Sequence, residues 1–104
     1  MGLTDNELVY IINQLFDMQN KTKARELNFL DRGFERINEQ LESAGFTVLN
    51  PLGEKYSETR TDVDAHISSN HVDQLRIKEV LKPIIYKRDD SSLVLIQKGN
   101  VIAG

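Results

Sequence analysis

The sequence contains no cysteine, and none of its apolar runs approaches the ~20 residues that a membrane-spanning helix requires. The first absence excludes disulfide bonds and thiolate metal sites, and the second predicts a protein that has no membrane partner. The 16 acidic residues outnumber the 13 lysines and arginines, which gives a net charge of −3. Because nucleic-acid binding needs a concentrated basic surface, nucleic acid is not an expected partner.

Targeting and linker sequences are also missing from the chain. Asp5, Asn6 and Glu7 interrupt any apolar start of the kind that a secretory signal peptide has, so we expect a cytoplasmic protein. No Pro- or Ser-rich linker divides the 104 residues, which fit one domain or two small units that share one core. Since a chain this short buries a modest fraction of its surface, self-association or a partner is expected to help it fold.

The first part of the chain has the pattern of an amphipathic helix. Thr4 and Glu7 have the spacing of a capping box, in which each side chain accepts a hydrogen bond from the other residue's backbone. Apolar residues then recur at helical spacing from Leu8 to Met18, and the pattern fades from Gln19 to Lys23. A break near residues 20–22 and a helical hairpin are therefore favoured, and the alternative is one continuous helix.

A second apolar stripe begins after this break. Its residues are three and four positions apart, as in a heptad seam: Leu27, Leu30, Phe34, Ile37, Leu41 and Ala44. Gly45 follows and supplies the left-handed residue that often ends a helix. Because two short helices have a thin core alone, the five residues from Leu27 to Leu41 predict the interface of a dimeric four-helix bundle. The alternative is that the stripe packs against the chain's own β-half.

From Phe46 onwards, short segments rich in strand-forming residues predict a small and mostly antiparallel β-domain. The expected strands cover residues 46–49, 75–81, 84–86, 93–96 and 101–102. The polar residues 57–73 predict a loop, and Gly99-Asn100 predicts a turn or a bulge. The predicted fold class is therefore α+β, with a helical dimerisation region over residues 1–45 and a β-domain over residues 46–104.

The sequence offers no set of residues suited to catalysis or to metal binding. Five histidines and aspartates fall within the polar segment, at positions that match no compact set of zinc ligands: Asp62, Asp64, His66, His71 and Asp73. Neither histidine is accompanied by a nucleophile or by a glycine loop that would stabilise an oxyanion. We therefore expect a protein that is not an enzyme and that needs no metal or cofactor.

The segments of the second half, taken in order, resemble the C-terminal part of GrpE, the nucleotide-exchange factor of DnaK-type chaperone ATPases. The helix ends at Gly45-Phe46, and Gly53-Glu-Lys-Tyr-Ser57 stands where the family has Gly-x-x-Phe-Asp. Glu79–Tyr86 resembles the strand that ends in Lys-Gly-Tyr, and Leu95–Gly104 resembles the family's final strand. The family's long N-terminal helix has no counterpart in these residues. Gln97 replaces the usual arginine, and Lys98 replaces a proline.

This resemblance implies a homodimer whose β-domain wedges against the ATPase domain and holds its nucleotide cleft open. The residues that match or neighbour the family motifs are implied to contact the partner: Tyr56, Arg60, Lys82, Tyr86, Gln97 and Lys98. The expected function is that of a cochaperone, an ADP-exchange factor in protein folding and the stress response. The main alternative is an interaction or adaptor protein that keeps the fold without exchange activity, and the missing arginine at Gln97 favours it.

Overall fold

We describe the fold from a computed structural model, which defines residues 2–68 and 74–104. Two helices come first, α1 (Asp5–Ala24) and α2 (Asp31–Ser43). The strands that follow are β1 (Phe46–Leu49), β2 (Val63–Ile67), β3 (Ile77–Lys82), β4 (Ile84–Asp89), β5 (Ser92–Gln97) and β6 (Gly99–Ala103). The α+β class is therefore confirmed, with a helical N-terminal region and a β-domain after it.

The start of α1 is the predicted capping box. The backbone N–H of Glu7 donates to the Thr4 hydroxyl at 3.2 Å, and the backbone N–H of Thr4 donates to the Glu7 carboxylate at 3.0 Å. Two of the backbone donors at the helix N-terminus thus find partners without a contact from elsewhere in the chain. The Thr4 backbone N–H, followed by the Thr4 side chain, lowers the pKa of Glu7.

The end of α1 corrects the predicted break at residues 20–22, because the helix continues to Ala24. The backbone N–H of Leu27 donates to Thr22 O at 2.9 Å and that of Glu26 donates to Lys23 O at 3.0 Å, which is the Schellman arrangement. Glu26 takes the left-handed position with a φ of 57°. The sequence hides this ending because glycine, the usual residue there, is absent.

Helix α2 contains three of the five residues of the predicted seam: Phe34, Ile37 and Leu41. It begins only at Asp31, so Leu27 and Leu30 precede the helix and do not extend its apolar stripe. The physical reason is the left-handed turn at Glu26, which redirects the chain before α2 starts. At the other end the prediction holds, since Gly45 has a φ of 94° and the helix stops two residues before it.

The strands form two sheets of three. In the first, with the order β1-β4-β5, both pairings are antiparallel. In the second, with the order β2-β6-β3, strand β6 pairs antiparallel with β3 and parallel with β2. Three of these four pairings are antiparallel, as expected for most of the domain. The β4–β5 hairpin is also confirmed, with longer strands and a turn at Asp90-Ser91.

One prediction about the second sheet is wrong, and another is right only in one of its two alternatives. The segment expected to be a loop, residues 57–73, contains strand β2, because Val63 and Ala65 turn inward against the core. Its partner β6 lies far along the chain, since Val63 pairs with Gly99, and a parallel pairing of this kind leaves no local signal. Gly99-Asn100 opens β6 and does not form a turn, whereas the pairing with β3 shifts in register between Val80–Val101 and Lys82–Asn100, which agrees with the bulge alternative. His71 and Asp73, which belong to the same predicted loop, lie outside the described residues.

The core joins the helical region to both sheets. Phe16 of α1 packs with five aliphatic residues, most of them in the second sheet: Val63, Ile77, Val80, Ile84 and Val101. Ile12, one turn earlier, packs with Phe46 and Ile85 of the first sheet. Helix α1 therefore lies against both sheets, and removal of the Phe16 ring should cost about 3–5 kcal/mol. The helical region and the β-domain therefore share a hydrophobic core.

Candidate partner-binding surface

The two sheets are joined at one place by two single-residue connections. Pro83 links β3 to β4, and Lys98 links β5 to β6. The Gln97 side chain donates to Pro83 O at 2.9 Å and holds the two connections together. We call the residues Lys82, Pro83, Gln97, Lys98 and Gly99 the sheet junction. It brings together three of the six residues predicted to contact a partner.

Gly99 allows the two sheets to approach at this junction. A Cβ atom added to Gly99 would lie 3.0 Å from Ile84 Cγ1 and 3.2 Å from Val63 Cγ1. Both distances are shorter than ordinary van der Waals contact, so a larger residue requires the Ile84 and Val63 side chains to shift by a few tenths of an ångström. The Gly99 backbone N–H donates to Asp62 O at 2.9 Å, which also fixes the start of β2. The sequence pointed to a turn or a bulge here, and the role of the glycine in close packing was not predicted.

Gln97 is held by helix α1 as well as by Pro83. The Asn13 amide donates to Gln97 Oε1 at 2.9 Å, and Gln97 Nε2 donates to Asn13 Oδ1 at 2.8 Å. These two half-buried amides thus satisfy each other reciprocally across the boundary between helix and sheet. With three hydrogen bonds made inside the chain, the Gln97 side chain has little capacity left for a partner. Asn13 was not predicted to matter.

Arg60 lies beside the junction and is engaged by acidic neighbours. Its Nε and Nη2 donate to the two Asp62 oxygens at 2.8 and 3.0 Å, and Nη2 also lies 3.0 Å from Glu54 Oε1. Its Nη1 donates to Lys55 O at 3.2 Å, and only 20% of the side chain is exposed. Hydrogen bonding to Asp62 raises the pKa of Arg60 above its usual range, and the same bonds lower the pKa of Asp62.

The cations that face solvent at the junction are Lys82 and Lys98. Lys82 ends β3 and is exposed. Lys98 is half exposed, and its Nζ lies 3.8 Å from Asp64 Oδ1, which is a long and weak ion pair. Both ammonium groups can therefore contact the acidic groups of a partner. Of the six predicted contact residues, these two are the ones best placed to bind another protein.

Tyr56 and Tyr86 are more buried than residues that contact a partner need to be. Both rings are half-buried and pack against the Phe16 cluster of the core. The Tyr56 backbone N–H donates to Leu75 O at 2.9 Å, and Tyr86 is paired with Thr47 and Leu95 in the first sheet. Their exposed edges border the surface, and their main contribution is to the core.

The residues of the predicted dimer seam divide into a buried and an exposed set. Phe34 is only 8% exposed within the single chain, and Leu41 packs against the Ile12 cluster. Leu27, Leu30 and Ile37 remain exposed. A cleft of about 130 Å³ separates α1 from α2, and Phe34, Ile37 and Leu41 line one of its walls. Part of the stripe thus packs within the chain, as the alternative interpretation proposed.

A metal site requires a group of suitable ligands, and a membrane span requires a long apolar helix. Within residues 2–68 and 74–104, no three His, Cys, Asp or Glu side chains are grouped so that they could hold a metal ion. In the described part of the chain, no helix combines the length and the apolar character needed to cross a membrane.

Comparison with models of known protein families, with curated proteins and with solved structures found no match.

Proposed function

We propose that this protein is a GrpE-like cochaperone that binds the ATPase domain of a DnaK-type chaperone through its β-domain and promotes ADP release. The observation that carries the proposal is the place where the family-like segments meet. Glu79–Tyr86 covers the end of β3 and the start of β4, Leu95–Gly104 covers the end of β5 and all of β6, and the two segments come together at the sheet junction. Two helices precede them, in the order that the resemblance implies.

The mechanism is differential binding to two states of the ATPase. A cofactor that binds the open nucleotide cleft more tightly than the closed one must weaken ADP by the same coupling free energy. Lys82 and Lys98 are the exposed cations of the junction, and an acidic surface on the ATPase domain would complement their charge. Arg60 shapes this surface indirectly, because its guanidinium is held by Asp62 and Glu54.

The test is the release rate of labelled ADP from the cognate ATPase with and without this protein. We expect release to accelerate, and we expect Lys82→Glu combined with Lys98→Glu to abolish most of the acceleration by reversing the charge. Lys78→Glu is the matched control, since Lys78 is an exposed lysine at the other end of β3. Binding without any change in release rate would refute the exchange function.

A homodimer formed through the helices belongs to the same proposal. Four apolar side chains of the helical region remain exposed: Ile11, Met18, Leu30 and Ile37. A second protomer's helices would cover them in a four-helix bundle, with Phe34 and Leu41 supporting the bundle from within each chain. Ile37→Asp should lower the mass measured by light scattering to that of a monomer, because it places a charge in the interface. Glu39→Gln, on an exposed position of the same helix, should leave the mass unchanged.

An adaptor without exchange activity is the second candidate, and the Gln97 geometry favours it. The side chain that replaces the family's usual arginine is turned inward to Asn13 and Pro83 rather than toward a partner. Gln97→Arg therefore separates the two candidates. A variant that binds a general DnaK more tightly and accelerates ADP release would show that the native glutamine restricts partner choice. A variant that binds without accelerating release would support the adaptor.

A further inference from the structure

The cleft between α1 and α2 is larger than the gaps that close packing leaves. Its volume is about 130 Å³, and strand β1 lines it through Val48. Packed protein interiors contain few voids larger than one water molecule. An engineered cavity of about 150 Å³ in another protein holds a benzene molecule. The cleft can therefore hold an apolar group of about the size of a phenyl ring.

The inner walls of the cleft are apolar. Ile12, Phe16 and Phe34 line it and are buried, and Leu15 and Leu41 beside them are half-buried. In the described part of the chain, no buried side-chain nitrogen or oxygen lacks a hydrogen-bond partner. A buried water molecule needs about two to four polar partners, which these walls do not offer. The inner end of the cleft therefore suits an apolar ligand group better than water.

The exposed residues of the lining form the mouth of the cleft, and they are mostly polar. Lys23, Asn38 and Asn50 line the cleft and face solvent. Lys23 and Asn50 also line a wider groove between α1 and β3. The cleft therefore opens toward this groove at Lys23 and Asn50, and a ligand has its polar end there.

The mouth offers positive charge and hydrogen-bond donors. Among the described residues that line the cleft, Lys23 is the one charged residue and none is Asp or Glu, although acidic residues outnumber basic ones in the chain. Asn50 Oδ1 accepts a hydrogen bond from the backbone N–H of Leu52 at 3.1 Å, so the Asn50 Nδ2 group is left to donate. An ammonium and an amide N–H together complement a carboxylate.

Lys21 provides an internal comparison for Lys23. Both lysines lie in the last turn of α1, where a positive charge complements the helix dipole. Lys21 Nζ lies 2.9 Å from Asp17 Oδ2, whereas among the described residues no carboxylate lies within ion-pair distance of Lys23. Lys21 is not part of the cleft lining. A role of Lys23 at the mouth can therefore be separated from a role in helix stability.

We propose that this cleft binds a small organic carboxylate whose apolar body is about the size of a phenyl ring. The body lies between Phe16 and Phe34, and the carboxylate pairs with Lys23 at the mouth. The lining residues alone define this site, so failure of the chaperone hypothesis would leave it unchanged.

Hydrocinnamate, a phenyl ring on a short chain that ends in a carboxylate, is the probe that tests this site. Its neutral amide, hydrocinnamamide, is the matched control ligand. In NMR titrations of the isotope-labelled protein at neutral pH, where the carboxyl group is ionised, hydrocinnamate should shift the amide resonances of Leu15, Phe34 and Val48 to saturation. Because an exposed ion pair contributes modestly, the carboxylate should bind about two- to fivefold more tightly than the amide. Equal affinities, or no saturable shift at these residues, would overturn the proposal.

Lys23→Glu replaces the attraction by repulsion and should weaken hydrocinnamate binding about fivefold to tenfold, with little change for the amide. Lys21→Glu is the matched control, since it changes the net charge equally in the same helical turn. It should change the affinity for hydrocinnamate less than about twofold, because solvent and salt screen the more distant charge. Equal losses in the two variants would indicate a general effect of net charge and would refute a carboxylate site at Lys23.

Leu15→Phe places a larger side chain in the cleft and should abolish saturable binding. A melting temperature at or above that of the wild-type protein would show that the filled protein is folded. Val48→Ile is the milder variant, because it adds one methylene from β1 and should weaken binding without overpacking. Full affinity in both variants, when they are folded, would mean that the probe binds elsewhere and would overturn the proposal.

A second copy of the chain is the competing occupant of the cleft. In that case the affinity for hydrocinnamate would fall as the protein concentration rises, and the carboxylate would lose its advantage over the amide. This result would refute the ligand site. An affinity that is independent of protein concentration, together with the preference for the carboxylate, is the result that we expect.

Discussion

The reciprocal amide pair between Asn13 and Gln97 allows the strength of the contact between helix and β-domain to be measured directly. Gln97→Ala removes three hydrogen bonds, two to Asn13 and one to Pro83 O. At about 0.5–1.5 kcal/mol for each bond, the expected loss in the free energy of unfolding is about 1.5–4.5 kcal/mol. The lower end is favoured, because half-buried groups that lose a partner can be rehydrated.

Asn13→Ala removes two of the same bonds and leaves the one to Pro83. The expected loss is about 1–3 kcal/mol. Each single variant loses the two hydrogen bonds between the amides. The double variant should therefore lose less free energy of unfolding than the two single variants together, and the difference is a coupling energy of about 1–2 kcal/mol. Chemical denaturation of the four proteins of the cycle, with constant denaturant slopes, provides the measurement.

The cycle also has an outcome that would refute the structural reasoning. A coupling energy below about 0.3 kcal/mol would mean that the two amides are independent and that the pair does not hold α1 against the sheet in solution. Asn20→Ala is the matched control on the same helix. It removes the separate bond to Val80 O, and its effect should add to that of Gln97→Ala because the two amides share no partner.

Three further predictions concern other parts of the fold. Gly99→Ala should lower the free energy of unfolding by about 1–3 kcal/mol in chemical denaturation, because its Cβ would overpack against Ile84 and Val63; an unaltered midpoint would show that the sheets can separate freely there. Glu26→Gly should raise stability by up to about 1 kcal/mol, because glycine relieves the left-handed strain at φ 57°, and a lower melting temperature would contradict this. Asp62→Asn should cost about 1 kcal/mol at neutral pH. Because the pKa of Asp62 is lowered in the folded state, that contribution is present above the unfolded pKa of about 3.9 and is lost as the pH falls through the folded value. The stability gap between Asp62→Asn and wild type should therefore close in acid, and a gap independent of pH would exclude the ion pair as its cause.

The sequence correctly predicted those features of the fold that are decided by residues close together in the chain. The capping box of Thr4 and Glu7 needs only residues within one turn, and Gly45 ends α2 through its own backbone conformation. The β4–β5 hairpin is likewise closed by a turn between adjacent strands. In each case the residues that decide the structure lie within a few positions of each other, so their pattern is visible in the sequence.

The parts that sequence missed depend on distant partners or on an unusual residue. Strand β2 is recognisable only once β6 is beside it, and Gln97 pairs with a residue 84 positions away. Glu26 adopts a conformation that its residue type disfavours, so the end of α1 was placed too early. The neutralisation of Arg60 by Asp62 was not inferred, although the two residues are close in the sequence.

Side-chain hydrogen bonds join the sheet junction to helix α1. Partner binding at the junction and self-association through the helices would influence each other through these bonds. Gln97 lies next to Lys98, the proposed contact, and is bonded to Asn13 on the helix. Lys87 of β4 donates to the Asp5 carboxylate at 2.9 Å and provides a second link to the start of α1. A partner that displaces Lys98 would therefore act on the helix through Gln97. If binding and dimerisation are coupled by this route, Asn13→Ala should weaken the coupling while leaving the exposed lysines in place.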